Sequence, residues 1–337
     1  MRWNMTSVAV TLAPLIASTP AVADEPITLR FAVPGASPVS STFTGVVRPW
    51  AARVEADADG ALKLQAFFNI ANFGNVYDRV TSGVADVGYI VLGPLGGKFR
   101  GSGVVELPSG IGSAREGAGA FWKLVEDGLV SAEFAEVRPI AVFVFPQNMM
   151  NTTRPIASLA DVKGLRVATL SKGAADIANR LGGAPISTNP AGLYELLQRR
   201  TVDAAIIGWL GLAVFKLPEV TTHHVLLGLD SGGGALVMNQ DAYAKLPAKA
   251  KRAVDRNTGA AASLALGASF DKIFADAERA VRGAPGRTFV TVTPAERERF
   301  AREVAGPLTE EWVKKTPNGA AILAAYRAEA VRLRQAR

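Results

Sequence analysis

A chain of 337 residues exceeds what one ordinary hydrophobic core accommodates, so two globular units are expected. With 49% hydrophobic and 20% charged residues it is not a disordered or fibrous protein, and the absence of cysteine excludes disulfide scaffolds, thiol catalysis and Cys-type zinc sites. The net charge of +7 does not indicate nucleic-acid binding, because the basic residues are mixed with acids or crowd the last helix and form no stripe interleaved with aromatics.

The first 23 residues have the pattern of a secretory signal peptide. Arg2 precedes an apolar run from Val8 to Ala17, and Ala21-Val22-Ala23 is the small-x-small pattern of a cleavage site. The run is shorter than the roughly 20 residues that span a bilayer. We therefore predict an exported protein that comprises residues 24–337.

The next segment predicts alternating strands and helices. The third predicted strand is continuously apolar, as in a parallel sheet buried on both faces. The elements are a strand Ile27–Val33, a helix Val39–Glu55, a strand Leu62–Phe68, a helix Val76–Ser82 and a strand Asp86–Leu92.

The same cycle recurs downstream. In both halves a helical tyrosine precedes, by nine positions, an aspartate that opens a buried strand: Tyr77 and Asp86, then Tyr194 and Asp203. This repetition predicts two lobes that are built alike. The second set comprises a strand Leu165–Thr169, helices Ala174–Leu181 and Pro190–Gln198, and a strand Ala204–Ile207.

A long helix is predicted to brace the two lobes. After a strand at Ala235–Asn239, a helical stretch of some 30 residues, about 45 Å long, runs from Pro247 to Arg282. A strand Thr288–Val292 and helices from Pro294 onward complete the chain. The predicted fold class is α/β, with two lobes of mostly parallel sheet flanked by helices. Lobe I comprises residues 24–146 and 233–275, and lobe II comprises residues 147–232 and 276–337.

Residue patterns of known catalytic chemistry are missing. The only histidines, His223 and His224, are neighbours that would point to opposite faces of a strand, and no G-x-S-x-G or phosphate-binding loop occurs. Asp86 and Asp203 are interpreted as structural. No cofactor and no metal are expected. An exported hydrolase that uses a pair of carboxylates stays open as an alternative.

Polar and aromatic residues follow the predicted strands, where clefts of open α/β sheets lie. Such residues, converging from two lobes, are typical of a hinged binding protein. The candidates are Ser37, Asn69, Phe73 and Tyr89 from the first lobe, and Gln147, Asn148, Thr169 and Trp209 from the second.

Several segments resemble the extracytoplasmic solute receptors of tripartite ATP-independent periplasmic (TRAP) transporters, of the dicarboxylate-receptor (DctP) type. They are Ser158–Val167, Leu181–Pro185, Leu193–Gln198 with Val202-Asp203, Val220–His224, and Val237–Asn239 with Leu246-Pro247. The resemblance implies a periplasmic, two-lobed receptor that is not an enzyme. Such a receptor closes on a small solute, usually an organic acid, and delivers it to the membrane permease subunits.

The binding residues that the resemblance implies are altered in this chain. The arginine with which the family holds a carboxylate falls on Ala168, and Arg166 lies two residues earlier, either replacing that arginine or standing at the surface. A second arginine, which often assists binding in the family, aligns near Asn148 of this chain. The asparagine that usually follows the Val-Asp pair in the family aligns with Ile207.

Loss of charge from the pocket predicts a different solute. The hypothesis is a ligand with a flat apolar or aromatic body, stacked on Trp209 or Phe73 and held by Asn148, Gln147 and Thr169. A ligand sensor that reports to a signalling partner is a further alternative.

Overall fold

The computed structural model describes residues 25–108 and 111–336, so the predicted signal peptide lies outside the described residues. Eleven strands within these ranges form two sheets, ordered β2-β1-β3-β10-β4 and β11-β9-β5-β8-β6-β7. The strands are β1 (Ile27–Ala32), β2 (Leu62–Phe67), β3 (Val87–Val91), β4 (Val137–Val144), β5 (Met149–Thr152), β6 (Arg166–Thr169), β7 (Ala184–Ser187), β8 (Ala204–Ile207), β9 (His223–Val225), β10 (Gly233–Asn239) and β11 (Thr288–Val290).

Helices cover both faces of each sheet. The α-helices are α1 (Arg48–Ala58), α2 (Val76–Thr81), α3 (Ala114–Glu126), α4 (Lys172–Arg180), α5 (Leu193–Gln198), α6 (Trp209–Val214), α7 (Gln240–Ala244), α8 (Ala248–Arg256), α9 (Ala260–Gly283), α10 (Pro294–Phe300), α11 (Gly306–Lys315) and α12 (Gly319–Gln335). None of the described helices is long and apolar enough to span a bilayer.

The sheets are mixed. Within the described ranges five of the nine strand pairings are parallel, and the antiparallel ones are those of β10 with β3 and β4, and of β5 with β8 and β9. Strands β5 and β10 directly follow the first two of the three places where the chain crosses between the sheets, and the third lies between β10 and β11. The predicted α/β class, with mostly parallel sheets in two lobes, is confirmed.

The two lobes contain the same three-stranded unit, β2-β1-β3 and β7-β6-β8, with all strands parallel. In the first unit the guanidinium of Arg30 donates to both carboxylate oxygens of Asp86 at 2.8–3.0 Å. In the second, Arg166 donates to both oxygens of Asp203 at 3.0 Å. The two aspartates noticed in the sequence thus lock the amino ends of equivalent strands together.

The predicted helix from Pro247 to Arg282 is wrong as a single element, because it is broken between α8 and α9. The indole of Trp50 donates to the carbonyl of Asn257 at 2.9 Å, and the amide of Gly259 donates to the carbonyl of Ile140 at 2.8 Å. Gly259 has a φ of 101°, which favours glycine. Residues distant in sequence therefore form the hydrogen bonds with the Asn257 carbonyl and the Gly259 amide that a continuous helix would have formed within itself.

The 24-residue helix α9 spans about 36 Å and contacts elements of both lobes. It packs on α3 and β4 of the first lobe and on α6 of the second. The expected bracing role therefore falls to α9 alone, without α8.

The assignment of the whole C-terminal region to lobe II is corrected. Phe300, Val304 and Leu308 pack into the core of the second sheet, but α12 packs on α3 beside the first sheet. Tyr326 of α12 is fully buried there. The sequence pattern identifies helices in this region, but it does not say which lobe they cover.

Candidate functional site

Two crossover segments connect the lobes and run side by side. The amide of Phe145 donates to the carbonyl of Gly232 at 2.8 Å, and the amide of Asn148 donates to the carbonyl of Asp230, also at 2.8 Å. These backbone hydrogen bonds join residues 145–148 to residues 229–232. Together with α9, which contacts both lobes, these paired segments connect the two sheets.

A cavity of about 150 Å³ lies against these crossovers, between the lobes. An apolar cavity of that order can hold one aromatic ring. Its walls are mainly apolar and aromatic, and both lobes contribute. They include Phe73, Tyr89, Val91 and Phe145 from the first lobe, Leu170, Ile207, Leu210, Val214 and Phe215 from the second, and Phe274 from α9.

The first loop and a distant aromatic residue form one wall together. The ring of Phe73 packs so closely on Gly35 that a Cβ atom there would lie 2.2 Å from the ring. Gly35 also has a φ of 68°, in the left-handed region. Glycine at this position therefore lets the ring face the cavity.

Four of the eleven residues predicted for the site line the cavity: Phe73, Tyr89, Asn148 and Ile207. The other seven do not. Asn69 is exposed, and Ser37 hydrogen-bonds with Ser40 within its own turn. The Gln147 side chain lies against the backbone of Gly228 on the other crossover.

Arg166 is not in the cavity, which corrects its inclusion among the candidate site residues. It begins β6, whereas the cavity residue Leu170 follows the end of that strand, and four residues of strand span about 13 Å. Its guanidinium is held by Asp203 and by the carbonyl of Arg200. Of the two expected positions, the structure therefore places Arg166 at the surface.

Ala168 and Thr169 are both buried in β6 and do not line the cavity. Ala168 packs in an apolar cluster with Leu193, Leu197 and Ile207. Small and aliphatic side chains thus occupy the region in which the resemblance places the arginine that binds the ligand carboxylate.

Trp209 lies outside the cavity wall, in an aromatic stack inside lobe II. Its ring centroid is 5.9 Å from that of Phe289 and 6.4 Å from that of His224, and the Arg282 guanidinium lies 5.2 Å above it. His224 is fully buried, and burial is the main cause that lowers its pKa to about 4, so the stack contains a neutral imidazole. The predicted stacking of a ligand on Trp209 is therefore not what the structure shows.

We expect Trp209→Ala to lower the stability of the protein and to leave its solute affinity within about threefold of wild type. Removing a half-buried indole costs about 2 kcal/mol of unfolding free energy. Urea unfolding and calorimetric titration measure the two effects separately. Phe73→Ala is the matched aromatic control, and it should weaken binding by about tenfold, which is 1.4 kcal/mol. A large loss of affinity in Trp209→Ala at unchanged stability would contradict this assignment.

Sequence reasoning missed two acidic residues that line the cavity, Glu106 and Asp230. Burial raises the pKa of Asp230 to about 7, although the amide of Asn148 donates to its Oδ1 at 3.0 Å. Burial and the Asp230 carboxylate raise the pKa of Glu106 to about 8. Glu106 ends a short 3-10 helix, Ser102–Glu106, and Asp230 lies in a connecting segment, so no periodic sequence pattern pointed to them.

No lysine, arginine or histidine lies among the described residues that line the cavity. Besides the two acids, its polar groups come from Thr42, Asn148, Ser171 and Ser231. Tyr89 also stays a neutral phenol, because burial raises its pKa. The site can therefore bind a small, mainly apolar solute, but it offers no fixed positive charge to an anion.

Comparison with known proteins identifies the family. The model of the bacterial extracellular solute-binding proteins, family 7 (DctP), matches residues 35–316. The chain belongs to this family. The resemblance to TRAP solute receptors is thereby confirmed. Family 7 proteins bind solutes and are not enzymes, so the hydrolase alternative does not hold.

Solved structures of family 7 receptors share the fold. A TRAP solute-binding protein from Rhodoferax ferrireducens, in complex with copurified benzoate, is 23% identical, with a TM-score of 0.86 over 92% of this chain and 99% of that one. A TRAP protein from Bordetella bronchiseptica with bound (R)- and (S)-mandelate is 25% identical, with a TM-score of 0.84 over 91% of this chain and 100% of that one. The protein described as outer membrane transporter protein TsaT of Comamonas testosteroni is 26% identical over 300 residues, which cover 85% of this chain and 86% of that one.

Proposed function

We propose that this family 7 protein is a periplasmic receptor that captures a compact aromatic or apolar solute and delivers it to the permease subunits of a TRAP transporter. The cavity between the lobes carries this proposal, since aromatic side chains from both lobes line it. The similar proteins that hold benzoate and mandelate support a single-ring solute. The proposed export to the periplasm rests on the signal-peptide pattern of residues 1–23.

The mechanism follows from the position of the cavity between the lobes and against the crossovers. A solute that contacts Phe73 and Tyr89 on one side and Ile207 and Val214 on the other interacts with both lobes only when they are together. Such a solute stabilises the closed arrangement relative to the open one. Closure is the change that a permease would recognise.

A thermal-shift panel tests the receptor function. Benzoate, benzamide and benzylamine present an anionic, a neutral and a cationic group on the same aromatic ring. The aliphatic diacid succinate presents negative charge without a ring. A ligand at about 1,000 times its dissociation constant adds about 4 kcal/mol, which raises Tm by about 8–16 °C. We expect at least one aromatic compound to give a shift of this size and to be recovered unchanged.

Stabilisation by succinate alone would overturn the aromatic solute class. If none of the four compounds raised Tm, the assignment of the cavity as the solute site would be overturned. Delivery is tested by reconstituting the permease subunits in vesicles and measuring uptake of the stabilising compound with and without the receptor. Uptake that does not depend on the receptor would contradict the transport role and would favour a sensor.

A further inference from the structure

The most unusual group in the cavity is the carboxyl of Asp230. The residue is 1% exposed and lies on the crossover that returns to the first lobe. Its Oδ1 accepts from the Asn148 amide at 3.0 Å, while its Oδ2 is buried and has no hydrogen-bond partner. A buried carboxylate oxygen without a partner is costly, so a group that donates to it from the cavity would be strongly favoured.

Glu106 is the second acid at this place. The Ser231 hydroxyl donates to the Val105 carbonyl, which ties the short 3-10 helix that ends at Glu106 to the crossover that carries Asp230. Both residues line the cavity, and their carboxyl groups interact electrostatically. Two acids that line one cavity without a cation beside them form a site for a positively charged hydrogen-bond donor.

The remaining charged groups lie in the neighbouring cleft, which Glu106 also borders. This cleft is lined by Arg100, Lys172 and Lys315, with the acids Asp176 and Glu311. Lys172 is paired with Asp176, and Lys315 is paired with Glu311. No charged residue other than Glu106 and Asp230 is found among the described residues of the cavity wall.

We propose that the solute of this receptor is an aromatic or apolar amine whose ammonium group binds between Glu106 and Asp230. The proposal rests on the receptor function and gives the chemical class of its solute. The ammonium donates to the free Oδ2 of Asp230 and to the Glu106 carboxylate, and the ring lies against Phe73, Tyr89 and Phe145. Aromatic faces also attract a cation. A carboxylate in the same place would repel both acids unless protons were shared.

The two classes of ligand respond to pH in opposite directions. In the free protein the pKa of Asp230 is about 7 and that of Glu106 about 8, so both acids are mostly protonated at pH 6 and mostly ionised at pH 8.5. An ammonium ion binds to the ionised acids, so its binding releases protons and its affinity rises with pH. A carboxylate requires the protonated acids, so its affinity falls with pH.

Calorimetric titration of the purified protein with benzylamine, benzamide and benzoate at pH 6.0, 7.0 and 8.5 tests the proposal. We expect benzylamine to bind most tightly of the three at pH 8.5, with an affinity at least about tenfold higher than at pH 6.0. Asp230→Asn and Glu106→Gln keep the shape of each side chain and remove its charge. Each should weaken benzylamine by about tenfold or more and flatten the pH dependence, with benzamide changed less.

Glu298→Gln, an exposed acid on α10, is the matched control and should behave as wild type. If Asp230→Asn does not fold, Glu106→Gln and the pH series of the wild type still decide the question. Tight benzoate binding that weakens as the pH rises would overturn the amine proposal and leave the receptor function standing. Absence of binding by all three compounds would overturn both.

Discussion

Val214→Trp should abolish solute binding and leave the protein folded. Val214 ends α6 and lines the cavity from the second lobe, where it is half-buried. The cavity measures only about 150 Å³, so an indole directed into it occupies the space of the solute ring. We expect the dissociation constant of the tightest ligand of the panel to rise at least about 100-fold, which is 2.7 kcal/mol. Calorimetric titration measures the loss.

Ala213→Trp is the matched control, since Ala213 precedes Val214 in the same helix and is exposed. It introduces the same side chain on the solvent side and should leave affinity within about twofold of wild type. Equal affinity in Val214→Trp and wild type would show that the solute binds elsewhere. A loss of the same size in both variants would mean that α6 tolerates no large residue, and the cavity would then not be the cause.

Gly234→Ala should be the most destabilising small substitution in the first lobe. Gly234 lies in β10, which is paired with β3 on one side and β4 on the other. A Cβ atom there would lie 2.1 Å from the carbonyl oxygen of Ile90 and 2.2 Å from the ring of Phe143. Because backbone must move to make room, the expected cost is about 3 kcal/mol or more, and Tm should fall by about 6–12 °C. Differential scanning calorimetry measures both.

Gly283→Ala, at the end of α9, is the corresponding control. A Cβ atom at Gly283 would meet no atom within 4 Å, and alanine is favoured over glycine in a helix. Its Tm should be unchanged or slightly higher. If the Tm of Gly234→Ala were within about 2 °C of wild type, then β3 and β10 could move apart at this point, next to the crossover, at little cost in unfolding free energy.

The acidic cavity separates this receptor from what the family resemblance implies about its solute. Ala168 stands where a carboxylate-binding arginine is expected, and the nearby Arg166 is held by Asp203. Glu106 and Asp230 line the cavity instead. The architecture of a solute receptor is therefore retained, while two buried acids with raised pKa values line the cavity in place of a positive charge.

Local patterns predicted much of the fold. Apolar alternation and buried runs located β1, β2, β3, β6 and β8 within one or two residues. The strands β4, β5, β7 and β9 and the helix α3 were not anticipated. The strands β5, β7 and β9 are only three or four residues long, and α3 contains two glycines, which lower its helix propensity.

The site was predicted less well than the fold, because a binding site joins residues that are distant in sequence. Phe73 follows β2 and Tyr89 lies within β3, so both could be inferred from sheet topology. Glu106 and Asp230 are 124 positions apart, and the hydrogen bond from Ser231 to Val105 holds the two segments together. Gln147 and Asn148 are neighbours in an extended segment, so only one of the two can face the cavity.

The sequence by itself determined the two-lobed α/β architecture, its internal repetition and the family, because these depend on periodicity and on local motifs that each short segment carries alone. The tertiary structure decided the break between α8 and α9, the lobe that α12 covers and the charge of the cavity. Each of these depends on a partner far along the chain: Ile140 for Gly259, α3 for α12, and Asp230 for Glu106. Long-range contacts of this kind leave no periodic trace in the sequence, since they arise only when segments that are distant along the chain pack together.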